Sequence, residues 1–135
     1  MKKLKILVAE DDADDRFIFH NFLSERTDID ILRYVENGLE VFSFLNSMQT
    51  PDALPDVILL DHNMPKMNGR QTLEKLKQAE RYADIPVFIY STYADTQLIN
   101  NCLASGAIKV VSKPLDSEGY NELMDELIGA ANSIN

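Results

Sequence analysis

Val57-Ile-Leu-Leu-Asp61-His-Asn-Met-Pro-Lys-Met-Asn-Gly69 is the stretch that decides the fold. Four consecutive apolar residues, Val57 to Leu60, lead straight into one carboxylate, and Asn, Pro, Met and Gly follow before helical spacing resumes. A continuous apolar run of this length, bounded by turn residues, is the pattern of a strand buried on both faces, as in a parallel sheet. Such a strand delivers Asp61 to its carboxyl end. In an open parallel sheet that end is where ligands bind, so Asp61 is placed where chemistry is expected.

Outward from this run, the same pattern recurs. Lys5 to Ala9 is an apolar strand that stops at Glu10-Asp11-Asp12, and Pro86 to Tyr90 is another that ends in Ser91-Thr92. Asp30 to Val35 and Ala107 to Val111 also read as strands, but Arg33 and Lys109 interrupt them, as charge does at sheet edges. Between the strands lie helical spacings. Asp14 is positioned to cap a helix carrying Ile18, Phe19, Phe22 and Leu23, and Val41, Phe44, Leu45 and Met48 mark the next. A helix from about Arg70 to Glu80 has a narrow stripe of Leu73 and Leu76, which predicts a largely solvent-facing element. Asp95 opens one with Leu98, Ile99, Cys102 and Leu103, stopped by Gly106, and Tyr120, Leu123, Met124, Leu127 and Ile128 mark the last.

Five strands alternating with five helices predict a doubly wound α/β fold of the flavodoxin-like kind, a parallel sheet covered on both faces. The apolar strands one, three and four belong inside and the charged strands two and five at the edges, which gives the order 2-1-3-4-5. The switch point then lies between strands one and three, where Glu10, Asp11, Asp12 and Asp61 collect.

At 135 residues the chain is expected to form a single domain, residues 1–135, with no output domain. A net charge of −9 argues against nucleic acid and anionic membranes as partners. One cysteine, no membrane-length apolar run and no signal-peptide pattern point to the cytoplasm.

Converging carboxylates raise one another's pKa unless a cation joins them, and a hard ion such as Mg²⁺ suits oxygen ligands. Asp61 would serve as ligand and nucleophile. Ser91 and Lys113, at the ends of strands four and five, supply a hydroxyl and an ammonium suited to phosphoryl oxygens. Together these groups describe phosphoryl transfer onto a carboxylate.

Four segments in order, ILVAEDD, ILLDHNMPKMNG, IPVFIYST and GAIKVVSKP, resemble the motifs of response-regulator receiver domains of bacterial two-component signalling. The resemblance covers nearly the whole chain and is closest to stand-alone receivers such as those of chemotaxis. The spelling LPDVILLDHNMP is similar to that of receivers serving phytochrome-type kinases. It implies that Asp61 is phosphorylated by a sensor histidine kinase or a phosphotransfer protein. Asp11 would bind Mg²⁺ directly and Glu10 through water, with the Asn63 backbone carbonyl as a further ligand. Ser91 and Lys113 would contact the phosphoryl group, and a cis Pro114 would fix the lysine loop.

The resemblance also implies a switch rather than an ordinary enzyme, read by a downstream protein through the fourth helix, fifth strand and fifth helix, and a homodimer is a further expectation. Tyr93, Gln97, Lys109 and Tyr120 are candidates for that face. Asn63 and Tyr93 fall at positions that govern water access in the family. The chain departs from the pattern at Val110, where an aromatic residue is usual, and Thr92 leaves open which hydroxyl turns inward, Ser91 being favoured by its distance from the strand motif.

Asp12, Asp14 and Asp15 are expected to be cap and solvated surface, His62 to point away from Asp61, and His20 and Cys102 to be plain helix residues. The alternatives are a receiver-fold binding module that does not switch and an aspartyl-phosphate hydrolase. Asn63 stands where such hydrolases carry a second acid. A flavodoxin is disfavoured, because the acids after strand one would repel a flavin phosphate.

Overall fold

In a computed structural model, which describes residues 3–134, five strands and five helices alternate along the chain. The strands are β1 (Leu4–Ala9), β2 (Ile29–Val35), β3 (Val57–Asp61), β4 (Val87–Ser91) and β5 (Lys109–Ser112). The helices are α1 (Ala13–Leu23), α2 (Gly38–Asn46), α3 (Gly69–Gln78), α4 (Thr96–Ala104) and α5 (Ser117–Ile134). All strand pairs are parallel and the order is β2-β1-β3-β4-β5, as the charge pattern predicts. Every residue of β3 and β4 is buried, whereas Arg33 on β2 and Lys109 on β5 are exposed at the two edges. Arg33 lays its guanidinium over the Phe44 ring at 5.3 Å, so the edge charge also covers apolar surface.

Strand alternation splits the core in two. Leu7, Ile58, Leu60, Val87 and Ile89 face α2, α3 and α4, while Ile6, Val8, Leu59, Phe88 and Tyr90 face α1 and α5. Each fully buried leucine or isoleucine here contributes about 2 kcal/mol of transfer free energy. α3 has the narrow stripe expected, yet Leu73 and Leu76 are completely buried, joined by Thr72. The helices are not held equally. α5 packs on α1 through Tyr120, whose ring meets Phe19 and Phe22 at 5.4 and 5.5 Å, and Arg26 adds a bidentate pair with Asp28 and a bond to Asp125. In α4, Cys102 is fully buried, while Leu98 and Ile99 are half-buried and Leu103 is exposed.

Three sequence expectations need correction. Asp12, not Asp14, caps α1: its Oδ1 accepts from the backbone N–H groups of Asp14 and Asp15 at 2.8 and 3.1 Å. The cap must precede the first helical turn, and Asp14 already lies inside it. Tyr120 is 3% exposed and belongs to the core between α1 and α5, so it cannot form part of an outer partner face. Its place at the head of the apolar stripe of α5 turns it inward. The Lys113–Pro114 bond is trans, since no peptide among the described residues is cis. Trans is the lower-energy form, and Lys113 is held by other means, its backbone N–H donating to the Ser91 carbonyl at 2.8 Å. Within the described residues no helix is long and apolar enough to cross a membrane.

The turn after β3 folds tightly onto the strand end. The Gly69 N–H donates to the His62 carbonyl at 3.0 Å, and a Cβ at Gly69 would lie 2.8 Å from both the Asp61 carbonyl oxygen and the His62 Cα. Those neighbours are backbone and cannot turn aside. Gly69→Ala is therefore expected to lower stability by about 2 kcal/mol in urea unfolding. Gly129→Ala, in open space on α5, should raise it by about 0.5–1 kcal/mol.

Candidate functional site

The parallel register fixes where the strands end and so assembles the site. β1 runs out at Ala9, beside Leu60, and delivers Glu10 and Asp11 next to Asp61, while Ser91 at the end of β4 pairs with Ser112 of β5, one residue before Lys113. The result is an open cleft of about 500 Å³ lined by Asp11, Asp12, Asp14, Asp15, Asp61, Asn63, Thr92 and Lys113. A larger hollow of about 860 Å³ lies at the amino ends of the strands. Of the cations that line it, Lys5 and Arg81 donate to the backbone carbonyls of Asp52 and Met48 and so serve the fold.

Lys113 is the centre of the site. Its ammonium lies 2.9 Å from Asp15, 3.0 Å from Glu10 and 3.1 Å from Asp61, and over the Tyr90 ring at 5.1 Å. Glu10 is fully buried: Oε1 accepts from the Tyr90 hydroxyl at 2.6 Å and Oε2 from the Asp12 N–H at 3.2 Å. Asp61 Oδ1 accepts from the Asn63 N–H at 3.1 Å. Asp11 completes an acidic group, because Glu10, Asp11 and Asp61 each offer an oxygen within 4.8 Å of the others. Three carboxylates at that spacing suit a hard divalent cation, which would hold them together against their repulsion.

One ammonium cannot neutralise so many acids. Burial would lower the Lys113 pKa, but the carboxylates of Asp15, Glu10 and Asp61 raise it well above the ordinary lysine value. The surplus falls on Asp61, whose pKa is pushed up to about 7, first by burial and then by Glu10, against the pull of Lys113.

Ser91 and Thr92 differ in placement. Thr92 lines the cleft, whereas Ser91 is buried beneath it, accepting from the Asn63 amide and donating to the Tyr93 carbonyl, both at 3.3 Å. His62 faces a separate hollow with Asn68, Arg70 and Asp95, away from the acids, and burial together with Arg70 lowers its pKa. His20 is an exposed helix residue and Cys102 a buried one. Val110 packs into the core against the α4 side of the sheet.

Two site residues escape the sequence reading. Asp15 is bonded to Lys113 rather than solvated, and Tyr90 sends the only hydroxyl of β4's apolar run to Glu10. The spacing from the Asp12 cap to Asp15, and a polar tip within a buried strand, were the available signals.

Residues 6–125 match the response regulator receiver domain. The chain belongs to the receiver domain family. Its relatives include a chemotaxis protein CheY homolog of Campylobacter jejuni, 27% identical over 126 residues and 93% of each chain. A protein-glutamate methylesterase/protein-glutamine glutaminase of Clostridium acetobutylicum is 30% identical over 95% of this chain. The chain spans 36% of the length of that relative. Among solved structures, the phosphorylated cyanobacterial phytochrome response regulator RcpA aligns with a TM-score of 0.75 and 26% identity, over 95% of this chain and 91% of that one. The doubly wound fold expected from the strand pattern and the receiver resemblance carried by the four motifs both agree with these matches.

The raised pKa of Asp61 makes stability depend on pH. Below its ordinary 3.8 the carboxyl is neutral folded and unfolded, and nothing is lost. As pH rises toward about 7 the unfolded chain ionises freely while the folded one resists, so the stabilisation disappears through that window. In EDTA, urea-unfolding free energy should fall between about pH 4 and pH 7 by up to about 4 kcal/mol more in the wild type than in Asp61→Asn.

Proposed function

We propose that this receiver domain is the phosphoacceptor of a two-component phosphorelay, with Asp61 taking a phosphoryl group from the histidine of a sensor kinase or phosphotransfer protein. The observation that carries the reading is the contact set of one side chain. Asp61 stands at the end of β3 with Lys113 at 3.1 Å and the oxygens of Glu10 and Asp11 within 4.8 Å.

In the transfer an Asp61 carboxylate oxygen bonds to phosphorus as the phosphorus–nitrogen bond of phosphohistidine breaks, and the imidazole leaves. Bound Mg²⁺, held by Glu10, Asp11, Asp61 and the Asn63 carbonyl, would supply positive charge to the phosphoryl oxygens. Lys113 adds its ammonium to the same oxygens. Ser91 supplies its hydroxyl by exchanging the Tyr93 carbonyl for a phosphoryl oxygen, which draws the β4–α4 loop inward. Tyr93, Gln97 and Lys109, all exposed, lie on the face that α4, β5 and α5 present to a downstream partner, in the cytoplasm.

The chain acts as a switch rather than a turnover enzyme. Asn63, two residues after Asp61, carries an amide and no ionisable acid to protonate a leaving group, which disfavours the hydrolase reading. A non-switching binding module remains the second reading, and Val110 favours it: at 8% exposure it offers no aromatic ring to move between inner and outer positions.

Intact-mass spectrometry after incubation with a small acyl phosphate and Mg²⁺ should find one added phosphoryl group. Asp61→Asn and chelation by EDTA should each abolish it. Retention of the adduct in Asp61→Asn would sink the assignment. Identical partner affinity with and without beryllofluoride would establish the non-switching module instead.

A further inference from the structure

Lys113 touches three carboxylates, and they are not alike. Glu10 and Asp61 have side chains 0% and 2% exposed and belong to the trio whose oxygens could share a cation. Asp15 is 33% exposed, lies outside that trio, and yet makes the shortest contact with the ammonium, 2.9 Å. It comes from α1, 98 residues away in sequence, and its position is fixed from both sides. The Asp12 cap accepts its N–H at 3.1 Å, and the neighbouring Arg16 donates to the Glu10 carbonyl at 2.8 Å. The first turn of α1 is thus pinned to the end of β1 with Asp15 aimed at Lys113.

Glu10 and Asp61 are therefore claimed twice. The ammonium already sits against two of the carboxylates that a divalent cation would take, and two positive charges drawn to the same carboxylates repel where little water intervenes. A cation on Glu10 and Asp61 would weaken their hold on Lys113. Its side chain is only 12% exposed, so departure without a partner would strand a desolvated charge.

We propose that Asp15 is a positioning residue that receives the Lys113 ammonium when a divalent cation occupies Glu10, Asp11 and Asp61. Asp15 keeps one charge-assisted hydrogen bond to the ammonium throughout, so the lysine shifts sideways by one carboxylate instead of being expelled. Asp15 is not one of the trio, so a cation there would leave its carboxylate to the ammonium. The inference rests on the Mg²⁺ reading of the site given above.

The test is a double-mutant cycle on Mg²⁺ affinity, measured by calorimetry on the full chain at fixed pH and salt with wild type, Asp15→Asn, Lys113→Met and the double variant. Asp15→Asn should weaken Mg²⁺ binding about fivefold in the presence of Lys113 and less than about twofold in its absence, since residues in contact couple and independent ones do not. Lys113→Met alone should tighten binding, and Asp15→Glu should restore most of the loss. Equal weakening in both backgrounds would mean that Asp15 acts as a bare negative charge on the cation, which overturns the proposal, as does an Asp15→Asn affinity equal to wild type. If circular dichroism finds Lys113→Met unfolded, Lys113→Gln replaces it, keeping a hydrogen bond to Glu10 without the charge. Absence of Mg²⁺ binding in the wild type itself would remove the cation reading and this inference with it, an outcome visible before any variant is made.

Discussion

A single ammonium group, that of Lys113, sets the electrostatic condition for the carboxyl end of this sheet. Glu10 and Asp61 are buried there because the strands that carry them are central, and central strands of a parallel sheet end under cover. Burying two carboxylates side by side is unfavourable unless positive charge reaches both. Lys113 reaches both, and the geometry that lets it do so is mostly backbone. Its N–H continues the pairing of β4 with β5 through the Ser91 carbonyl, so the lysine is placed by the ladder before its side chain makes any contact. The turn at Gly69 tightens the end of β3, and the cap at Asp12 with the Arg16 bond to Glu10 ties the start of α1 to the end of β1.

Charge on this site is close to a balance point. With three acids around one lysine, burial and the neighbouring Glu10 push the pKa of Asp61 up against the pull of Lys113. A group poised in this way responds to whatever changes the local field, whether a cation, a phosphoryl group or the loss of either. Such sensitivity comes from the surplus of negative charge and would vanish if the acids and the lysine matched one for one.

Much of this was legible in the sequence. The uninterrupted apolar runs ending at Ala9, Asp61 and Ser91 identified central strands and the acids and hydroxyl at their ends, and the charges Arg33 and Lys109 identified the edges. What escaped depended on reach across elements. Asp15 needed the start of α1 to meet the segment after β5 before it could become a partner of Lys113, and Tyr90 needed the depth of β4 for its hydroxyl to meet Glu10. The misplacement of Tyr120 had a different cause: its stripe was read correctly as amphipathic, but a residue on such a stripe turns inward and so is withdrawn from any outer face. Pro114 was assigned its isomer by likeness to a family, and no local feature of the chain demanded it.

The unequal seating of the helices has a mechanical consequence. α1 and α5 are joined by aromatic rings and by the Arg26 network, whereas α4 rests on one fully buried side chain, Cys102, with Leu98, Ile99 and Asn101 half-buried. Local displacement costs free energy in proportion to the contacts it breaks, so the two sides of the sheet differ in stiffness. The site lies between a rigid wall and a compliant one. Displacement of Ser91 and its loop meets least resistance toward α4, while α1 and α5 form the side of the sheet that yields least.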